Sequence, residues 1–214
     1  MDFDILSIII VFIVILVSMV LHEMAHAYVA YWLGDTTAKD EGRLSPNPFV
    51  HIDPYMSIIV PLLLFISGGP IFGGAKPVPI DTRNIKGGPW GMALVAAAGP
   101  AVNFILALVG FLIGHLTGMI YQLDYVGLLF KEIVLANLGF FAFNLLPIPP
   151  LDGSRILYAI SPDKIRDLLE KIETTLGIVL VFILVVFFGS YLSGITSNVI
   201  NGILDFFYLI VGVK

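Results

Sequence analysis

The chain has 214 residues, of which 58% are hydrophobic and 13% charged, with a net charge of −5 and no cysteine. So little charge excludes an ordinary soluble domain, whose surface needs more of it, and the scattered basic residues exclude a nucleic-acid-binding patch. Without cysteine there are neither disulfides nor thiolate metal sites.

The apolar residues come in long blocks, and the mean hydropathy is +0.98. The expected class is an all-α polytopic membrane protein in a lipid bilayer, a single membrane-embedded domain over residues 1–214. The first span is expected from about Asp4 to Leu33, with a stop at Gly34-Asp35. Asp2 and Asp4 stand where a cleavable signal would carry basic residues, so the segment reads as a retained span. A polar loop follows, DTTAKDEGRLSPNPFVHIDP, dense in Pro, Gly and Asp. Tyr55 to Ile66 is apolar but short for a span and reads as re-entrant. In IFGGAKPVPIDTRNIKGGP the Pro-x-Pro spacing opposes a helix and predicts a small extended or β segment near residues 72–82. A span from about Trp90 to Leu116 carries the small-residue run AAAGPAVN, which suits close helix packing. Another covers about Ile133 to Leu146 and breaks at PIPPLDG. Ser161 to Thr174 is charged and reads as a surface helix, and Leu176 to Val213 reads as two short spans turning near Ser193-Gly194. The total is about five to six transmembrane or re-entrant helices.

Charge placement gives an orientation. With the N-terminus outside and residues 55–66 re-entrant, Lys39, Arg43, Lys76, Arg83, Lys86, Arg155, Lys164, Arg166, Lys171 and Lys214 fall on the cytoplasmic side, and only Lys131 does not. A multi-pass protein of the cell membrane is expected.

The sharpest chemical signal is His22-Glu23-Met24-Ala25-His26. Residues four apart share a helix face, so both imidazoles can reach one metal ion while Glu23 lies beside them as a base. Glu23 is about 19 residues past Asp4, roughly 28 Å along a helix, and so close to the far face of a bilayer but still within it. Ionisable groups at such a depth are costly and mark function. A catalytic zinc takes three protein ligands and a water. The remaining imidazoles are His51 and His115; among the acids Asp152 stands out, in FNLLPIPPLDGSRI, where Pro147, Pro149 and Pro150 oppose a helix and Gly153 permits a tight turn. The alternative for Asp152 is an N-cap of the next short helix. His51, in a polar loop before Ile52-Asp53-Pro54, suits a turn or capping role better than a metal.

HEMAHAYVA on the first helix, paired with NLLPIPPLDG near the fourth, resembles the site-2 protease family of intramembrane metalloproteases. RLSPNPFVHIDP, AKPVPI and AAGPAVN resemble its short prokaryotic branch, which lacks a PDZ domain; the likeness covers most of residues 15 to 160. Gly74 departs from it, standing where an aromatic residue is expected. The resemblance implies one zinc ion per chain held by His22, His26 and Asp152, Glu23 as general base, and a transmembrane protein as substrate. It points also to Asn103 and Asn144, as groups that orient ligands or hydrogen-bond a substrate carbonyl; ordinary interhelical hydrogen bonding is the alternative for both. Lys76-Pro77-Val78-Pro79 is expected to present an edge to which substrate adds as a strand. Two other functions compete: a metal transporter or sensor, which has no need of a base at Glu23, and an inactive relative that only binds membrane proteins.

Overall fold

The computed structural model of the protein describes residues 4–54, 59 and 75–212. Helix α1 spans Ile5–Trp32. Asp4 caps it, its carboxylate accepting from the Ser7 amide at 2.9 Å. Ser7, Val14, Ser18, His22, His26 and Ala30 are buried and recur every four or seven residues, so they form one stripe along the helix. The opposite face, with Ile5, Ile8, Phe12 and Ile13, is apolar and exposed. A helix whose exposed face is apolar and whose buried stripe holds its polar residues belongs in lipid.

A short helix α2, Thr37–Asp40, follows. Helix α3 runs Gly88–Leu116, α4 Tyr125–Asn144, α5 Asp152–Ile160 and α6 Asp163–Ile210. Among the described residues, α1, α3, α4 and the Val179–Ile210 part of α6 are long and apolar enough to cross a membrane. Helix α3 is central and packs against α1, α4 and α5. Its small residues allow this. A Cβ on Gly110 would lie 2.4 Å from Cγ2 of Ile133, so α3 and α4 approach to a distance that only glycine permits there. Ala107, Phe111, Ile120, Val134, Leu138 and Phe207 form the core at one end of the bundle. At that end the Tyr125 hydroxyl donates to Asp4. At the other end lie the C-terminus of α1, the N-terminus of α3 and α5, with the Lys86 amide donating to the Leu33 carbonyl at 2.9 Å.

Several expectations change. Four spans are found among the described residues, which do not include most of the re-entrant stretch counted in the expected five to six. The re-entrant stretch Tyr55 to Ile66 lies, apart from Ile59, outside the described residues, as does Gly74. No strand occurs among the described residues, and 75–81 has no regular structure, so the β segment near 72–82 is not found there. The third span begins at Tyr125, eight residues before the predicted Ile133. Lys131 and Glu132 interrupt its hydropathy, but Asp124 caps it by accepting from the Val126 and Gly127 amides, each at 3.0 Å.

Val179–Ile210 is one helical span, where Leu176 to Val213 was expected to form two with a turn at Ser193-Gly194. The break comes earlier, at Gly177 (φ 43°), between the charged part of α6 and its apolar part. Ser193 and Gly194 continue the helix, because weak helix formers are tolerated where an apolar surrounding gives the backbone no other partner. A single last span also carries the C-terminal end of α6 to the end of the bundle that holds Lys131, since Phe207 packs on Phe111 of α3. Lys214 itself lies outside the described residues.

The α3–α4 contact gives a paired test. Gly110→Ala is expected to destabilise the protein in detergent by about 1–3 kcal/mol through overpacking against Ile133. Gly139→Ala in α4, where a Cβ meets nothing within 4 Å, is expected to be neutral or to stabilise by up to about 1 kcal/mol from helix propensity. Thermal unfolding of both variants beside the parent chain checks this.

Candidate metal centre

Residues four apart on α1 place His22 and His26 on its buried stripe, one turn apart. Their rings meet edge to face, with centroids 4.6 Å apart. Each Nδ1 is engaged by a neighbouring helix: that of His26 lies 2.7 Å from the Val95 carbonyl of α3, that of His22 2.6 Å from Oδ1 of Asn103, also of α3. A carbonyl oxygen only accepts, so His26 carries its proton on Nδ1 and turns an Nε2 lone pair inward. Asn103 through Oδ1 imposes the same form on His22.

Asp152 completes the cluster. It is the first residue of α5, whose N-cap is Leu151, and its side chain makes no cap hydrogen bond, so the capping alternative does not hold. Its carboxylate turns to the imidazoles: Oδ2 is 3.3 Å from Nε2 of His22 and Oδ1 3.4 Å from Nε2 of His26. The approach depends on Gly153, where a Cβ would lie 2.2 Å from the Leu145 carbonyl and 2.6 Å from that of Leu146. The requirement is for space, since Gly153 has helical backbone and is absent from the residues of positive φ.

The two Nε2 atoms are 3.0 Å apart, and one ligand atom from each of the three residues falls within 4.8 Å of the others. With both Nδ1 atoms protonated, these are lone pairs and carboxylate oxygens facing one another. Buried acceptors at such separations repel unless a cation lies among them. Asp152 Oδ2 is in addition buried without a hydrogen-bond partner. The 3.0–3.4 Å separations are less than twice a zinc–ligand bond of roughly 2.0–2.2 Å, so one ion can reach all three. The residues therefore fit zinc: two neutral imidazoles and a carboxylate.

Glu23 is turned away from this stripe. Its Oε2 accepts from the Val78 amide at 3.1 Å, which ties Glu23 to the irregular segment beyond residue 75. Pro77 and Pro79 have no amide proton, so Val78 is the one donor among the three. The segment is itself held. The Lys76 amide donates to the His51 carbonyl at 2.8 Å. The buried Arg43 donates to the carbonyls of Lys76 (2.5 Å), Pro77 (3.1 Å) and Val50. The Asp81 amide donates to Asp35 at 2.8 Å. Burial pushes the Asp35 carboxyl pKa up, but hydrogen bonds from the Thr37 hydroxyl and amide and the Asp81 amide outweigh it and hold the group below its ordinary value. The Lys76 and Val78 amides and the Lys76 and Pro77 carbonyls are thus bonded within the chain.

The structure thus brings together His22, His26 and Asp152 and joins Asn103 to His22, while the Glu23 carboxylate stands outside that group on the Val78 amide. It does not join Asn144, which donates to the Phe140 carbonyl of its own helix at 3.0 Å. His51 lies outside the cluster; its Nε2 pairs with the Ser45 carbonyl at 2.9 Å, the turn-holding role expected. Sequence reasoning missed the Val95 carbonyl, the Val78 amide and Gly99. The Pro-Val-Pro spacing was a usable signal for Val78. Gly99 was legible only as a packing glycine; a Cβ there would stand 2.4 Å from Nε2 of His26 and 2.6 Å from Nε2 of His22.

The chain is similar to several curated proteins. Two bear the name "Putative zinc metalloprotease": YwhC of Bacillus subtilis, 41% identical over 84% of this chain and 81% of that one, and Rip2 of Mycobacterium tuberculosis, 31% identical over 89% of this chain and 71% of that one. "Zinc metalloprotease MJ0392" of Methanocaldococcus jannaschii is 29% identical over 83% of this chain and 42% of that one. No family profile and no solved structure matches the chain.

Gly99 separates a metal site from a mere polar cluster. Gly99→Ala puts a methyl group against both Nε2 atoms and is expected to reduce bound zinc to the background of an Asp152→Ala control, with helix content by circular dichroism retained. Zinc content by elemental analysis of the purified variants checks this.

Proposed function

The chain belongs to the site-2 protease family, and we propose that it is an intramembrane zinc metalloprotease that hydrolyses peptide bonds of membrane-spanning proteins. The observation that carries the reading is the convergence of two imidazole lone pairs and a carboxylate on one point within a bundle of apolar helices, with a second carboxylate, Glu23, next to His22 in sequence and held by the Val78 amide. His22, His26 and Asp152 hold one zinc ion per chain.

When bound, zinc supplies Lewis acidity, which makes water a nucleophile near neutral pH and polarises a carbonyl. Glu23 takes the proton of the attacking water and delivers it to the nitrogen of the scissile bond, so that C–O forms, C–N breaks and the leaving amine departs neutral. The Val78 amide orients Glu23 through Oε2 and leaves Oε1 for the proton. The Val95 and Asn103 acceptors keep the imidazoles in the form that binds metal. Asn144, at the end of α4, serves substrate. A transmembrane helix shields its own peptide bonds by hydrogen bonding, so a substrate must unwind locally before attack. The surrounding helices keep bulk water from the site.

The protein resides in the cell membrane, with the site toward the cytoplasmic side. Nine basic residues, from Lys39 to Lys171, support this orientation; Lys131 and the Ile210 end of α6 lie opposite. No nucleic acid takes part, and α6, exposed along most of its length, faces lipid.

The test is cleavage of a model transmembrane substrate by purified protein in detergent. Glu23→Gln is expected to retain zinc and lose about 10²–10⁴-fold in rate, the usual contribution of a positioned base. Chelation is expected to abolish cleavage and added zinc to restore it. If parent and variant both bind zinc and neither cleaves any of several unrelated substrates, metal transport or binding is the better reading.

A further inference from the structure

A chain of hydrogen bonds leads away from His22 and crosses three helices. Nδ2 of Asn103 donates to Oδ1 of Asn137 in α4 at 2.8 Å. Nδ2 of Asn137 donates to the Ile133 carbonyl at 2.8 Å and to the Ser18 hydroxyl oxygen of α1 at 2.9 Å. Asn103 and Asn137 are 0% and 1% exposed, and Ser18 is also buried, so water does not compete for these groups.

The direction of this chain follows from its far end. The Ile133 carbonyl can only accept, so Asn137 must turn its NH₂ toward it. Its Oδ1 then faces Asn103, which must answer with its own NH₂. That leaves Asn103 Oδ1 for His22, and an amide oxygen can only accept, so Nδ1 carries a proton and the neutral ring keeps its lone pair on Nε2. Reversal of either amide would set donor against donor or acceptor against acceptor in a buried site, at a cost of about 1–3 kcal/mol for each unsatisfied group. His26 needs no such relay, because the Val95 carbonyl fixes its ring directly.

We infer that Asn137 is a positioning residue of the metal site: anchored on the Ile133 carbonyl, it orients the Asn103 amide and so fixes His22 as the Nδ1–H tautomer whose Nε2 faces Asp152 and His26. The inference about metal affinity rests on the zinc reading above; the inference about the tautomer does not, since it concerns the metal-free protein.

The experiment is ¹⁵N NMR of histidine-labelled, chelator-stripped protein at alkaline pH, with the rings assigned by single-histidine variants, beside zinc titration of the same samples. In the parent chain His22 is expected as a single Nδ1–H tautomer. In Asn137→Ala it is expected to split between both tautomers while His26 stays unchanged, and zinc affinity is expected to fall about 10- to 100-fold. Adding Asn103→Asp to Asn137→Ala is expected to restore the single tautomer, because a carboxylate presents an acceptor whichever way it turns. A His22 ring that is Nε2–H or mixed in the parent chain overturns the inference without any variant. So does a single Nδ1–H tautomer with unchanged zinc affinity in Asn137→Ala. Absence of zinc binding by the parent chain defeats the protease reading, while the tautomer results still decide the role of Asn137.

Discussion

Two imidazoles buried among apolar helices present four ring nitrogens, and each needs a partner that lipid cannot give. The rest of the site depends on this constraint. Val95 and Asn103 of α3 take the two Nδ1 protons, which leaves two Nε2 lone pairs turned toward each other and toward Asp152. Such a cluster of acceptors is stable only around a positive charge. The folding requirement and the chemistry are therefore one requirement: satisfying the outer nitrogens prepares the inner ones for a metal.

Close packing then brings the remaining parts within reach. Gly99 leaves the space beside both Nε2 atoms, and Gly153 lets the start of α5 settle on the Leu145 and Leu146 carbonyls so that Asp152 points inward. Arg43, His51 and Asp35 hold the segment from Lys76 to Asp81 against the end of α1, and its Val78 amide holds Glu23. Glu23 is thus held by a loop, and His22, His26 and Asp152 by helices. Displacement of the loop would move Glu23 without disturbing the three-residue cluster.

Much of this was legible in the sequence, for physical reasons. The apolar runs of α1 and α3 are long and uninterrupted, so their ends were found to within about two residues, the ordinary scatter of helix boundaries. His22, Glu23 and His26 were readable because helical spacing alone puts the imidazoles on one face. Asp152 was readable from its place after a run of prolines, and its role came from the family resemblance. The start of α4 was hidden by Lys131 and Glu132, and the continuity of α6 by Ser193 and Gly194, which suggest a turn in water but not in a bilayer. Asn137 carried no local signal at all: an asparagine in an apolar helix gains meaning only from Ser18 and Asn103, 119 and 34 residues away. Likewise, AAAGPAVN showed that α3 packs closely, but not that Gly99 faces two imidazoles.

The most direct test of a zinc site built from His22, His26 and Asp152 is zinc X-ray absorption spectroscopy of the purified protein. The expected result is one four-coordinate zinc per chain with two imidazole nitrogens at roughly 2.0–2.1 Å and oxygen ligands at roughly 2.0–2.2 Å, reduced to weak or adventitious binding in Asp152→Ala. A third imidazole in the coordination shell, or an unchanged spectrum in Asp152→Ala, would contradict it.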